Sequence, residues 1–255
     1  MSEIGGPGAA WLADPLGRYP HRWFDGSQWT EHAAPVGAAP GFGYGYGDLY
    51  DGAKGESTAR LAVVAFIVRG FVTGFQAVAS GVLLAGVWDQ MMSSLDDPER
   101  ANEVGYGGAP VLSAVSQLMS LLGLATLVFL CIWTFRATKN ARALGLRTAV
   151  SPGWSVAGWI IPFANFVMPY LSVRDLFPLG HAGRRQAGIW WSCEITGVVL
   201  SIATSIVAFS TSTGPAVVVG VFAAASLVAA GLLGAQVCRA ASAVHTAIAS
   251  GHAPV

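Results

Sequence analysis

The stretch PAVVVGVFAAASLVAAGLLGAQV, residues 215–237, contains no charged side chain and decides the fold class. A helix of about 20 apolar residues crosses the roughly 30 Å hydrocarbon core of a bilayer, so this stretch is long enough to span it. Three similar stretches precede it, within residues 61–88, 111–133 and 188–209. The composition agrees, since only 11% of residues are charged. We therefore expect a mainly α fold, a four-helix transmembrane bundle within residues 57–245, followed by a tail, 246–255.

The charges between these stretches are sorted by sign. Residues 89–110 carry five acidic residues against Arg100, whereas residues 134–187 carry seven basic residues against Asp175. Short loops rich in Lys and Arg remain in the cytoplasm. We therefore expect both termini and residues 134–187 to lie on the cytoplasmic side of the plasma membrane. Residues 89–110 should lie on the outer side.

A fifth apolar stretch, residues 153–171, is long enough to span but is interrupted by Pro162 and Pro169, each of which lacks a backbone donor. A crossing there would divide the cations near the membrane almost evenly between the two sides. We expect instead a re-entrant or interfacial helix pair, Gly153–Ile161 and Pro169–Phe177, between spans two and three. A Pro-kinked surface helix is the alternative. Asn165, between the prolines, could satisfy a freed backbone group.

This region carries a pattern that resembles a known family. The matching residues are Trp133, Arg136, Asn140, Ala141, Leu144 and Gly145, then Pro152, Gly153, Trp154, Trp159, Pro162, Ala164, Asn165 and Pro169, with Trp190 and Trp191 at the third span. The chain is similar, over about residues 60–245, to the four-helix actinobacterial membrane family catalogued as domain of unknown function 4328. The resemblance implies the same architecture, with no assigned activity.

Residues 1–32 form a second unit with a dense aromatic pattern. Its marked positions are Trp11, Asp14, Pro15, Arg22, Trp23, Phe24, Asp25, Gly26, Trp29 and Thr30. Asp25-Gly26 is a hairpin turn signal, and a two- or three-residue loop there would bring Trp29 opposite Phe24 or Trp23, which predicts a small β module. The pattern resembles the short domain of unknown function 2510, often found ahead of membrane segments.

The aromatic residues of this module have two interpretations. They could form its core, because so small a unit buries little surface. Alternatively one ring of the set Trp11, Trp23, Phe24 and Trp29 stays exposed and binds a Pro-rich or extended peptide of a cytoplasmic protein. Residues 33–56, rich in Gly, Ala, Pro and Tyr, are expected to be a disordered linker.

Glu194 is the one acidic residue within the expected spans. Charged groups in lipid are costly and mark a buried pair or a pathway. Glu194 could pair with Arg136 or Arg69, or it could form a proton or cation site near Asn165. The sequence has no catalytic, nucleotide-binding or metal-ligand motif, so we expect no enzyme, no cofactor, no metal and no nucleic-acid partner.

Two functions follow from these features. The first is a membrane-anchored interaction or scaffold protein whose mobile aromatic module recruits a partner. The alternative is a small transporter or channel-like protein that uses the broken Pro-Asn-Pro element and Glu194. The small residues Gly70 and Gly74 allow close helix approach, within the chain or in a homo-oligomer.

Overall fold

The computed structural model of the chain describes residues 10–13, 15, 21–34, 50–96, 109–210 and 213–251. Within these residues a small sheet is formed by β1 (Ala10–Ala13), β2 (His21–Phe24) and β3 (Trp29–Ala34). The helices are α1 (Gly52–Asp96), α2 (Ala109–Ala143), α3 (Pro152–Ile160), α4 (Met168–Arg174), α5 (Ala182–Ser210) and α6 (Thr213–Ala249). The mainly α fold with an N-terminal β module is therefore confirmed.

The sheet is antiparallel, in the order β1-β2-β3. Phe24 is the partner of Trp29 across β2 and β3, as the turn signal at Asp25-Gly26 predicted. The connecting loop has four residues, 25–28, rather than two or three, because the Asp25 side chain accepts from the Ser27 and Gln28 amides and so closes a longer turn. Gly26 in this loop adopts a φ of 99°. This positive φ favours glycine because a Cβ would clash there. Strand β3 extends to Ala34, two residues past the predicted end of the module.

Four helices are long and apolar enough to cross a membrane: Gly52–Leu95, Val111–Ala143, Ala182–Phe209 and Gly214–Ala249. They contain the four predicted spans. The longest, α1, has 45 residues and, at 1.5 Å per residue, measures about 67 Å. This length is more than twice the hydrocarbon thickness. Helix α1 therefore extends well beyond a single span.

Over their apolar segments, these helices leave many large apolar side chains exposed. Large exposed members of this surface are Leu121, Leu124, Val128, Val199, Ile206 and Phe222. Exposing such a surface to water would cost about 25 cal/mol of free energy per Å². Lipid tails are as apolar as these side chains, so contact with them carries no such cost. Length, composition and this exposed surface together indicate a membrane protein.

Helices α1 and α6 form the most extensive contact of the bundle, and α1 also packs on α2 and α5. The two helices approach closely at Gly70, where an added Cβ would lie 2.9 Å from the Cα of Gly231. One turn further along, a Cβ on Gly74 would lie 3.2 Å from the Ala224 carbonyl oxygen. The two glycines that the sequence marked for close packing are thus used within the chain.

One end of the bundle carries Arg60, Arg136, Arg174, Arg184 and Arg239, and we call it the basic end. It brings together the start of α1, the end of α2, the start of α5 and the end of α6. Contacts that tie these segments include the Cys238 thiol on the Ala59 carbonyl, at 3.4 Å, and the His245 ring on the Leu176 carbonyl, at 3.0 Å. The largest buried cluster of the chain lies on this side.

Helix α1 begins earlier than the composition suggested. The linker was predicted to reach residue 56, but α1 starts at Gly52. The Asp51 side chain accepts a hydrogen bond from the Lys54 amide at 2.9 Å and so caps the helix. A capping aspartate therefore moves the boundary back into a glycine-containing segment. Residues 35–49 of the predicted linker lie outside the described part of the chain.

A helix pair connects α2 to α5, as predicted, and we call residues 152–174 the hairpin. Helix α3 runs from Pro152 to Ile160, capped by Ser151, and α4 runs from Met168 to Arg174. A 3-10 turn, Ala164–Phe166, lies between them. The second helix ends at Arg174 rather than at Phe177, because the Leu176 and Phe177 amides form turn bonds to the carbonyls three residues before them instead of continuing the α-helix. The re-entrant and interfacial placements both remain predictions.

Candidate functional site

The β module exposes one of its aromatic rings. Trp29 is 39% exposed, and its ring packs against Phe24 with centroids 5.4 Å apart at 58°. The ring is therefore held on one side and open on the other. The backbones of Trp11 and Trp23 pair in β1 and β2, but their side chains lie outside what the structure describes.

The turn beside Trp29 is fixed by Asp25. Its Oδ1 accepts hydrogen bonds from the Ser27 amide and the Gln28 amide, both at 2.8 Å, and from the Ser27 hydroxyl at 2.7 Å. The Gln28 amide bond, followed by those from Ser27, lowers the pKa of Asp25 below its ordinary value. A carboxylate that closes the turn in this way positions the first residue of β3.

The point where the chain enters α1 is clamped by Asn140 of α2. The Asp51 amide donates to Asn140 Oδ1 at 3.3 Å, and Asn140 Nδ2 donates to the Asp51 carbonyl at 3.2 Å. Asn140 is buried, and a Cβ on Gly55 would lie 2.6 Å from its Nδ2. The amide side chain thus holds the chain entry against α2, and it requires glycine opposite.

Asp175 forms the polar centre of the basic end. With 4% of its side chain exposed, it accepts from Arg174 Nε at 2.8 Å and from an Arg184 guanidinium nitrogen at 3.0 Å. The Ala149 amide donates to its Oδ2 at 2.9 Å. Arg184 also donates to the Phe177 carbonyl at 3.1 Å. One carboxylate therefore joins the segment after α2, the end of the hairpin and the start of α5.

The pKa of Asp175 reflects these contacts. Burial alone would raise it, but the Arg174 hydrogen bond, the Ala149 amide and the charges of Arg174 and Arg184 together outweigh burial and lower the pKa below its ordinary value. The carboxylate is therefore charged at neutral pH, as its two arginine partners require.

Glu194 faces Arg69 in the middle of the helices. Their nearest charged atoms are 3.6 Å apart, with 14% and 25% of the respective side chains exposed. Arg69 Nε is buried and has no hydrogen-bond partner among the described residues. Of the two cations named from the sequence, Arg69 is therefore the one beside Glu194. Arg136 lies at the basic end, where its charge adds to the Lys54 contacts that lower the pKa of Asp51.

Asn165 occupies the end of the hairpin, and its side chain is exposed. In the described part of the chain, no hydrogen bond or ion pair joins it to Glu194. Instead the hairpin is joined to α5 by Trp191, whose Nε1 donates to the Phe166 carbonyl at 3.0 Å. Trp191 packs with Trp159 at a centroid distance of 6.5 Å.

Two residues of this arrangement were not singled out from the sequence. Asp175 is the one acid among seven cations in residues 134–187, and that isolation was a signal for a buried partner of arginines. Asn140 belonged to the family pattern, but its contact with Asp51 spans 89 positions of sequence. No local sequence pattern could predict that contact.

A β module ahead of four apolar helices, with a buried carboxylate–arginine centre at one end, defines a polytopic membrane protein of the four-helix class. Residues 101–247 match the family described as Domain of unknown function (DUF4328), and the chain belongs to that family. Residues 9–41 match the description Protein of unknown function (DUF2510). The first match leaves all of α1 outside, whereas the sequence resemblance was drawn from about residue 60. No curated protein and no solved structure matches the chain.

Proposed function

We propose that this chain is a non-catalytic, membrane-anchored interaction protein. In this proposal it lies in the cytoplasmic membrane with both termini inside, and its β module captures an extended or Pro-rich segment of a cytoplasmic protein. The observation that carries the proposal is the Trp29 ring, 39% exposed and supported from behind by Phe24. Aromatic rings presented in this way bind Pro-rich and extended peptides.

The attachment of the module supports the same function. A partner captured by the module would stay within reach of the membrane, because the chain enters the bundle at Asp51, fixed to Asn140 by two hydrogen bonds. Fifteen residues, 35–49, separate β3 from the described start at Tyr50. The module and anything that it binds would therefore stay near the membrane surface.

The experiment places a photo-crosslinking amino acid at position 28, beside Trp29, in the full chain in native membranes. We expect a discrete adduct that Trp29→Phe retains and Trp29→Ala loses, because phenylalanine preserves an aromatic surface. A crosslinker at Ser57, exposed on α1, is the position control and should not give the same adduct. An adduct at position 28 that survives Trp29→Ala unchanged would contradict the role of the ring.

A further inference from the structure

We infer that the end of the hairpin, residues 160–167, inserts into the acyl chains of the leaflet at the basic end. We call these residues the tip. The partner that the tip fits is phospholipid hydrocarbon, and the element is re-entrant rather than crossing. The inference is independent of the proposed function, because it concerns the bundle and not the β module.

The first support is the surface of the tip. No charged residue lies between Arg147 and Arg174. The exposed fractions are 67% for Ile160, 85% for Phe163 and 52% for Val167. An exposed apolar patch on an otherwise folded element marks an interaction surface, and apolar side chains such as Ile189 are exposed on α5 as well.

The second support is depth. The base of the hairpin is level with Arg184, because Asp175 is bonded to it at 3.0 Å. The tip is level with Trp191, because the Phe166 carbonyl accepts from its ring at 3.0 Å. Along α5, these two levels differ by about 10 Å at 1.5 Å per residue. If the arginine marks the headgroup level, the tip reaches about one third of the way through the hydrocarbon core.

Aromatic contacts also place the tip of the hairpin at this depth beside the spans. Trp159, at the end of α3, packs with Trp190 at 6.4 Å between centroids, and Trp190 packs with Phe66 of α1 at 5.7 Å. Phe66 in turn contacts Trp133 of α2 at 5.6 Å. The tip thus lies beside a layer formed by three of the candidate spans.

The third support is the backbone, because irregular backbone in lipid requires internal partners. The tip amides that donate to carbonyls within the hairpin are Ile161, Ala164, Asn165, Phe166 and Val167. Pro162 has no amide hydrogen. Phe163 holds a φ of 66°, a left-handed value that is strained for a bulky residue. That conformation turns its ring outward at the apex.

The test measures the depth of a spin label on Phe163→Cys in the full chain, with Cys131, Cys193 and Cys238 replaced by alanine. The protein is reconstituted into vesicles of equimolar phosphatidylcholine and phosphatidylglycerol. Collision rates with oxygen and with a water-soluble nickel chelate are compared with labels on Val199→Cys, on the lipid-facing surface of α5, and Leu179→Cys. Leu179 is 82% exposed and lies near the Arg184 level, so it is the surface control.

We expect the Phe163 label to collide with oxygen several-fold more often than with nickel, as at Val199, and the Leu179 label to show the opposite order. A nickel excess at Phe163 would place the tip in water and overturn the inference. Low rates with both reagents would show that a protein covers it, a second copy included, and would overturn it as well.

A second measurement leaves the native cysteines in place, in case their removal disturbs folding. Benzoylphenylalanine at position 163 is irradiated in the same vesicles. We expect an adduct one phospholipid heavier than the chain. Crosslinking to another chain, or no adduct, would refute insertion.

Discussion

Asp175 accepts hydrogen bonds from three segments of the chain while 4% of its side chain is exposed. Asp175→Asn keeps the shape but removes the charge, which leaves Arg174 and Arg184 without their shared anion. Removing one member of a buried ion pair costs about 3 kcal/mol, and we expect a loss of that size in the free energy of unfolding. Denaturant titration of the detergent-solubilised protein measures it. Arg185→Gln, an exposed change on the same turn of α5, is the matched control and should be nearly neutral.

The same residue gives a pH dependence with a definite sign. The folded pKa of Asp175 lies below the unfolded value, which is about 3.9 for an aspartate. The stabilisation is therefore complete above about pH 4 and is lost as the pH falls through the folded pKa. We expect the unfolding temperature of the wild type to fall more steeply below pH 4 than that of Asp175→Asn. Parallel curves for the two proteins would contradict this assignment.

Arg69 and Glu194 form a separate pair inside the apolar part of the bundle, and their coupling can be measured directly. Glu194→Leu alone leaves a part-buried guanidinium, and Arg69→Leu alone leaves a part-buried carboxylate. Both side chains are only part-buried, so either change should cost less than the roughly 3 kcal/mol of a fully buried pair. The double substitution should cost less than either, since both charges are then gone. Additive losses in the double-mutant cycle would show that the 3.6 Å approach carries no energetic coupling.

Among elements, the close approach of α1 and α6 depends on glycine at its centre. Gly70→Ala would place a Cβ 2.9 Å from backbone atoms of α6, at Leu227 and Gly231. The two helices must then separate, and overpacking of this kind costs about 1–3 kcal/mol. Gly86→Ala, in the same helix but with open space around its Cβ, is the control. It should be neutral or slightly stabilising, because alanine favours helix. Equal effects of the two changes would refute the packing argument.

Near the tip, the hairpin is hydrogen-bonded to α5 through the Trp191 indole. Trp191→Phe removes the Nε1 donor to the Phe166 carbonyl, a bond of 3.0 Å. Trp159→Phe removes an indole nitrogen that has no hydrogen-bond partner among the described residues. Both changes lose similar aromatic area. We expect Trp191→Phe to be more destabilising by about 1 kcal/mol, the net value of one hydrogen bond. Thermal unfolding of the two variants provides the comparison, and equal losses would show that the bond contributes nothing.

The elements also show which features the sequence could predict. Hydropathy located the four long helices because the bilayer fixes a minimum apolar length, and Pro162 and Pro169 located the break in the hairpin because each lacks an amide hydrogen. The clamp on the chain entry could not be predicted, since it joins Asp51 to Asn140, which lies 89 positions away. Pairings such as Arg69 with Glu194 require the helix packing to be known. Sequence alone therefore named Glu194 but left open whether Arg69 or Arg136 is its partner.

For the whole molecule, the segregation of cations to the basic end is the property that determines orientation, because positively charged short loops remain in the cytoplasm. The structure brings the start of α1, the hairpin base and the end of α6 to that one end, through contacts such as Cys238 with Ala59. Single cysteines at Ser57, Arg185 and Ser250, all exposed, should then share one side. Leu95, 71% exposed near the other end of α1, should lie on the opposite side.

The measurement labels these four variants, in a chain whose native cysteines are replaced, with a membrane-impermeant maleimide in intact cells and in inverted vesicles. In intact cells we expect Leu95→Cys to react and the other three to be protected. In inverted vesicles the pattern should reverse. Labelling of Arg185→Cys from outside together with protection of Ser57→Cys would mean that the hairpin crosses the bilayer. That result would place the start of α1 and the start of α5 on opposite sides of the membrane. In the structure both lie at the basic end, held there by the contacts of Asn140 with Asp51 and of Asp175 with Arg184.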